Sequence, residues 1–78
     1  MGDHSLAALL KEQSPGVVKV SLRSKDPAVD VNRVLSPLGG GGHPGAAGCT
    51  IQGSVEHARK LVIAALRDYL SQLSPPSP

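Results

Sequence analysis

A run of four glycines near the middle of the chain, continued by His-Pro-Gly-Ala-Ala-Gly, restricts the possible folds more than any other feature of the sequence. Ordering consecutive glycines costs backbone entropy and adds no side-chain packing. In return, a backbone without side chains lets main-chain N–H groups turn inward around an anion, as phosphate-binding nests do. We therefore predict that residues 39–48 form an anion-binding loop, and the alternative is a flexible glycine-rich linker.

Two side chains could complete such an anion site. His43 follows the glycines directly, and Pro44 favours an extended conformation at the histidine. Arg23 lies at the end of a predicted strand, where a guanidinium could hold a phosphate through two parallel hydrogen bonds. Taken alone, Arg23 is more typical of a solvated surface. No Lys and Ser/Thr pair follows the glycines, so the segment is not a Walker A loop.

The remaining polar residues do not predict catalysis. Three histidines without a neighbouring acid cluster do not make a metal site, and no nucleophile lies at a recognisable spacing from a base. His57 is expected on the surface of a helix, and Cys49 is expected to be buried and inert. We predict no catalytic residue and no metal ligand in this chain.

A long amphipathic helix is predicted at the end of the chain, from about Val55 to Leu73. Ser54 is a suitable N-cap, and apolar residues then recur at spacings of three and four. The stripe expected to face the core consists of Val55, Ala58, Val62, Ala65, Leu66, Tyr69 and Leu73.

Alternating apolar and polar residues predict a half-buried strand over residues 17–24. The preceding Ser-Pro-Gly-Val at residues 14–17 suits a type II turn, with Gly16 supplying a positive φ. Residues 6–13 are good helix formers, so propensity alone favours a helix there. Eight residues make a marginal helix, however, and the tight turn favours a hairpin. We therefore predict a strand over residues 6–13.

Between this hairpin and the last helix, Asp30 can cap a short helix that runs to about Leu35. Pro37 should end or distort this helix, and Gly39 is a natural stop. Residues 49–52 predict a third strand. The fold class is then α/β (α+β), a small mixed sheet of about three strands, an N-terminal hairpin plus one, packed with two helices.

Composition limits the core and the partners. With one Tyr and no Phe or Trp in 78 residues, the core must be small and aliphatic. A net charge of +2 suits one or two bound phosphates and is too weak to indicate duplex DNA. A single Cys, no signal peptide and no apolar span predict a cytoplasmic protein with no membrane partner. We assign residues 6–73 to one domain, residues 1–5 to a leader and residues 74–78 to a disordered tail.

VKVSLRSK, DVNRVL and GGGGHPGAAG together resemble the DHHA1 domain, the C-terminal domain of DHH-family phosphoesterases of the nano-RNase and pAp-phosphatase (RecJ-like) type. The resemblance covers about residues 6–70 and departs from the family at Pro37, where relatives usually continue a short helix. In that family an N-terminal domain holds two Mn²⁺ ions through Asp and His residues, including an Asp-His-His motif. This chain has no such motif. The resemblance implies a fragment inactive alone, with manganese and hydrolysis in a separate DHH domain.

The resemblance also implies a substrate and a site. The partners would be a short oligonucleotide or nucleotide phosphate such as pAp, and the DHH domain. The alternative is an oligomerisation or RNA-binding module of the kind found in alanyl-tRNA synthetases, forming a homodimer through residues 6–10. The substrate-binding residues implied are Arg23, Ser24, Gly40, Gly41, Gly42, His43, Ala46, Ala47 and Gly48.

Overall fold

The computed structural model describes residues 6–73, which form an antiparallel sheet with two α-helices on one of its faces. The four strands lie in the order β1-β2-β4-β3. The leader predicted at residues 1–5 and the tail predicted at residues 74–78 lie outside the described residues. In chain order the elements are β1 (Leu6–Ser14), β2 (Val17–Ser24), α1 (Val31–Leu35), a 3-10 turn (Ser36–Leu38), β3 (Gly41–His43), β4 (Ala46–Gln52) and α2 (Val55–Leu73).

The N-terminal segment is a strand, as the turn chemistry predicted and helix propensity did not. β1 pairs antiparallel with β2 along its length, from Leu6 opposite Ser24 to Ser14 opposite Val17. Gly16 has a φ of 76°, which the predicted turn requires. Pairing with β2 satisfies the backbone groups on one side of the segment, and Leu10 packs against the core. Tertiary pairing therefore outweighs the local helix preference of these residues.

The sheet has four strands and is antiparallel throughout, so the prediction of a mixed sheet of about three strands needs correction. Gly41–His43 forms a strand that the sequence interpretation treated as loop, and it pairs with a β4 that begins at Ala46 rather than at residue 49. The glycines carry no side-chain alternation, so their sequence gave no strand signal. The α+β class with two helices, the last long and C-terminal, is confirmed.

The core lies between the sheet and the helices and is entirely aliphatic apart from Cys49. On α2, Ala58 and Val62 are buried, whereas the ends of the predicted stripe, Val55 and Leu73, are 40% and 47% exposed. The helix therefore contributes to the core mainly through its middle turns. Neither helix within residues 6–73 has the length and apolarity that crossing a membrane requires.

The segment between β2 and β3 is fixed by a cap and by the single tyrosine. Asp30 caps α1 by accepting a hydrogen bond from the Arg33 N–H at 3.2 Å, and Pro37 lies in the 3-10 turn that follows, as predicted. The Tyr69 hydroxyl accepts a hydrogen bond from the Asp30 N–H at 2.9 Å and donates one to the Ala28 carbonyl at 3.3 Å. These bonds hold the loop before α1 against α2.

Candidate functional site

The sheet face opposite the helices, here called the open face, brings Arg23 and His43 together. Residues directly opposite each other on antiparallel strands point to the same face. Arg23 pairs with Ala7 on one side and with Ala46 on the other, and Ala46 pairs with His43. Because neighbouring strands lie about 4.8 Å apart, the backbones at Arg23 and His43 are about 10 Å apart. A single anion between them is within reach of both side chains.

Arg23 borders two shallow depressions. One, of about 230 Å³, is lined by Ser21, Leu22, Arg23, Gly41, Ala46, Ala47 and Gly48. The other, of about 430 Å³, lies at the end of the sheet and is lined by Leu6, Ala7, Arg23, Ser24, Lys25, Gly45 and Ala46. Small residues dominate both linings beside the arginine. A ligand can therefore approach the sheet backbone next to the guanidinium.

Neither Arg23 nor His43 makes a side-chain hydrogen bond or ion pair within residues 6–73, and both are exposed. The open face also carries Lys11 and Lys19. Carboxylates among the described residues lie elsewhere, because Glu12 is paired with the buried Val18 and the others are in loops, at a cap or on α2. A surface with cations and no carboxylate produces a positive local potential that attracts phosphate.

Strand alternation divides the residues that the sequence grouped into one site. Open-face positions are occupied by Arg23, Gly41, His43, Ala46 and Gly48. The helix side of the sheet holds Ser24, Gly42 and Ala47, and Gly40 lies before β3 against the core.

Ser24 borders the depression at the end of the sheet, but its hydroxyl is already engaged. The hydroxyl accepts a hydrogen bond from the Asp26 N–H at 3.1 Å and donates one to the Asp26 carbonyl at 3.1 Å. The side chain of Ser24 therefore fixes the loop that leaves β2. Of the predicted pair Arg23 and Ser24, only Arg23 presents an unengaged polar group to the open face.

The amides of the glycine run are not arranged as the predicted anion nest. The N–H groups of Gly39 and Gly40 donate to the carbonyls of Ser36 and Leu35, each at 3.0 Å. The Gly42 N–H donates to Asn32 Oδ1, also at 3.0 Å. These donors are occupied by α1 and the turn after it. The prediction of an amide cradle is therefore wrong for these three glycines.

The glycines serve instead to bring backbones close together. A Cβ on Gly40 would lie 2.5 Å from the Cβ of Cys49 and 2.6 Å from the carbonyl oxygen of Gly48. Gly42 has a φ of 152°, and a Cβ there would lie 2.7 Å from the Ala46 carbonyl oxygen. Only glycine allows β3 to pack this tightly against β4. The glycine run therefore places His43 in the same row as Arg23.

The other predicted features are simpler. Cys49 is buried, and its burial raises the pKa of the thiol above the ordinary value of 9.0, so the group stays protonated and inert. His57 is exposed on α2, as predicted. Within the part of the chain that the structure describes, no three His, Cys, Asp or Glu side chains are grouped so that they could hold a metal ion.

A larger depression, of about 700 Å³, lies away from the open face, between α1 and α2. Apolar side chains such as Leu61 form much of its wall, and Arg33 and Asp68 contribute one charge of each sign. Arg33 Nε already lies 3.9 Å from Asp30 Oδ2, and the Asp68 carboxylate repels phosphate. For an anionic ligand, the smaller depressions beside Arg23 are the better candidates.

The sequence patterns that build this face are those of a known domain. A family model of the DHHA1 domain matches residues 2–72, so the chain belongs to the DHHA1 domain family. A relative is the bifunctional oligoribonuclease and PAP phosphatase NrnA of Thermus thermophilus, 37% identical over 68 residues. The match covers 86% of this chain and 20% of the relative. The chain therefore spans about a fifth of that protein's length.

Proposed function

We propose that this domain binds the phosphate end of a nucleotide or short oligonucleotide on its open face, as the substrate-binding part of a DHH-family phosphoesterase. The observation that carries the proposal is the placement of Arg23 and His43 in one row of the open face, on either side of Ala46. The Thermus relative is named an oligoribonuclease and PAP phosphatase, and we propose the same two substrate classes for the protein that contains this domain.

A phosphate above Ala46 would be held from two sides. The guanidinium of Arg23 can donate two parallel hydrogen bonds to phosphate oxygens, and the imidazole of His43 can donate a further one. Ala46 and Gly48 project little from the sheet, so they leave room for the phosphate between the two side chains. Among residues 6–73 no carboxylate lies on the open face, so both groups are available to the ligand.

The role proposed for this domain is to hold and orient substrate. Positioning the phosphate end fixes the scissile bond relative to a catalytic group elsewhere, which lowers the entropic part of the barrier. The resemblance implies two Mn²⁺ ions. Within residues 6–73, no three His, Cys, Asp or Glu side chains are close enough together to bind a metal ion. We propose that a DHH domain supplies the metal and the hydrolysis. A single Cys suits a reducing compartment, so we also propose a cytoplasmic location.

Binding of pAp and of AMP to the isolated chain, measured by calorimetry or NMR titration, tests the proposal. Replacing Arg23 with Gln (R23Q) removes a charge-assisted bidentate contact and should weaken binding about tenfold or more. The matched control is R59Q, because Arg59 is exposed on α2 and its loss changes the net charge equally. Equal effects of R23Q and R59Q would contradict the proposed site.

A phosphatase assay with added Mn²⁺ tests the division of labour. The chain alone should show no turnover of pAp, because we place the catalytic metal ions on another domain. Measurable turnover that R23Q abolishes would show that hydrolysis belongs to this domain, and the assignment of a binding role alone would then be wrong.

The second candidate function is self-association through β1. This strand lies at the edge of the sheet, and its Leu9 side chain is 66% exposed. An edge strand with unpaired backbone groups can pair with a second copy. Sedimentation at increasing protein concentration distinguishes the candidates, since an association module would form dimers and a L9K variant would stay monomeric. A nucleotide-binding domain would stay monomeric, and its affinity for AMP would not depend on protein concentration.

A further inference from the structure

Two lysines face each other on the open face, away from the row that contains Arg23. Lys11 of β1 is directly opposite Lys19 of β2, and both side chains are exposed. Their Cβ atoms are then about 5 Å apart, and like charges in this arrangement destabilise a strand pair. No ion pair relieves either lysine within residues 6–73. The fold gains nothing from placing these two ammonium groups together.

Protection of the sheet edge accounts for only one member of this pair. A lysine on an edge strand discourages pairing with other chains, which explains Lys11 on β1. Lys19 lies on β2, which is paired on both sides, with β1 and with β4. It therefore protects no edge. A bound anion would compensate both charges at once.

The surroundings of the pair are shaped to accept a ligand. Lys11 and Lys19 border a depression of about 360 Å³, together with Leu9, Gln13 and Ser21. Every residue of this lining is neutral or cationic. The depression therefore continues the positive, carboxylate-free surface that begins at Arg23.

We propose that Lys11 and Lys19 form a second phosphate subsite, which takes an internal phosphate of a single-stranded oligonucleotide. This inference rests on the proposed function, because the end phosphate of the same strand would occupy the first subsite at Arg23 and His43. Lys19 precedes Arg23 by four residues on β2, which corresponds to about 13 Å along the strand. One phosphate cannot contact both subsites, and the span exceeds the separation of the two phosphates of pAp, so occupying both requires an oligonucleotide.

The floor between the two subsites suits the neutral parts of a nucleotide. The intervening row consists of Leu9, Ser21, Gly48 and Gly41, which are successive partners across the sheet. Leu9 offers exposed apolar surface to a sugar or base, and the two glycines keep the floor low. The open face would thus distinguish ligands by length, because a mononucleotide fills the first subsite alone.

The test compares AMP with a 5′-phosphorylated tetraadenylate on three forms of the 78-residue chain. These are the wild type, the double variant K11T/K19T, and the control K60A/R67A, which removes two exposed charges from α2. Wild type should bind the tetranucleotide about tenfold more tightly than AMP. K11T/K19T should lose this preference and change AMP affinity no more than the control does. In K11T/K19T the slope of log K against log salt for the tetranucleotide should become shallower by about 0.7, the value for one lost phosphate contact on a single strand.

Stability provides the check on folding. Threonine has a high strand propensity, and the substitutions remove a repulsion, so K11T/K19T should melt no lower than wild type. Two results would overturn the second subsite: equal affinity of wild type for AMP and tetranucleotide, or an equal loss of tetranucleotide affinity in K60A/R67A. Either result leaves the first subsite standing if R23Q still weakens AMP binding about tenfold or more. Loss of the first subsite would show separately, as AMP affinity unchanged by R23Q.

Discussion

The two faces of the same sheet differ completely in chemistry, although adjacent residues of single strands build both. β2 gives Val18, Val20 and Leu22 to the helix-covered face, where all three are fully buried. The same strand gives Lys19 and Arg23 to the open face, where both are exposed. The covered face holds the fold together through apolar burial. The open face contributes little packing and carries the groups proposed to bind phosphate.

This contrast predicts that stability and ligand binding can be changed separately. A substitution on the covered face should lower the free energy of unfolding and alter binding only through unfolding. A substitution on the open face should alter binding and leave stability nearly unchanged.

The largest change in the free energy of unfolding is expected on the covered face of β2, and the neighbouring residue on the open face provides the comparison. L22A removes a fully buried side chain and leaves a cavity, so the free energy of unfolding should fall by about 2–5 kcal/mol. S21A, on the open face, should change it by no more than about 0.5 kcal/mol. Urea denaturation of both variants measures the difference. Similar losses in the two variants would show that the open face is also part of the core.

A smaller effect is expected where the glycine run meets the core. In G40A the new Cβ would collide with Cys49 and with the Gly48 carbonyl, which forces β3 and β4 apart and should cost about 1–3 kcal/mol. G45A is the control, because its Cβ would meet only the Ser24 carbonyl oxygen, at 3.4 Å. Thermal melting of both variants should place G40A clearly below G45A. If the two variants melt together, β3 does not pack against β4 as described.

The smallest effect is expected from the tyrosine that holds the loop before α1. Y69F removes the hydroxyl that accepts the Asp30 N–H, and water can replace it only in part, so the cost should be about 1 kcal/mol. AMP affinity should be unchanged, because Tyr69 lies on the helix side of the sheet. Denaturation and AMP titration of the same sample measure both quantities. A marked loss of AMP affinity in Y69F would contradict the separation of the two faces.

Most of the fold could be predicted because patterned residues dominate it. The alternation in residues 17–24 and the periodicity of α2 each require one face to be buried, and the structure confirms both elements. The turn at Gly16 correctly outweighed helix propensity in β1. β3 could not be predicted, since Gly41 and Gly42 have no side chains to show a period. Its pairing depends on β4, which the sequence pattern predicted only from residue 49, and on Asn32 Oδ1, which lies ten residues before Gly42 in the chain.

The sequence predicted which side chains could bind phosphate, but it did not predict how the strands place them relative to one another. Arg23 and His43 were singled out by their chemistry, and only the register of three strands brings them into one row. The sequence interpretation grouped consecutive residues, so it included Gly42 and Ala47, which alternation directs to the other face. Lys11 was missed for a related reason. Its position opposite Lys19 depends on β1 being a strand and on the register set by the turn.

The most direct test of the account is to map AMP binding on the isotopically labelled chain by NMR. The amides of α2 should not shift, and the largest amide shifts should cluster at Arg23, Gly41, His43, Ala46 and Gly48. Shifts concentrated along the groove between α1 and α2, or no shift on the open face at millimolar AMP, would contradict it.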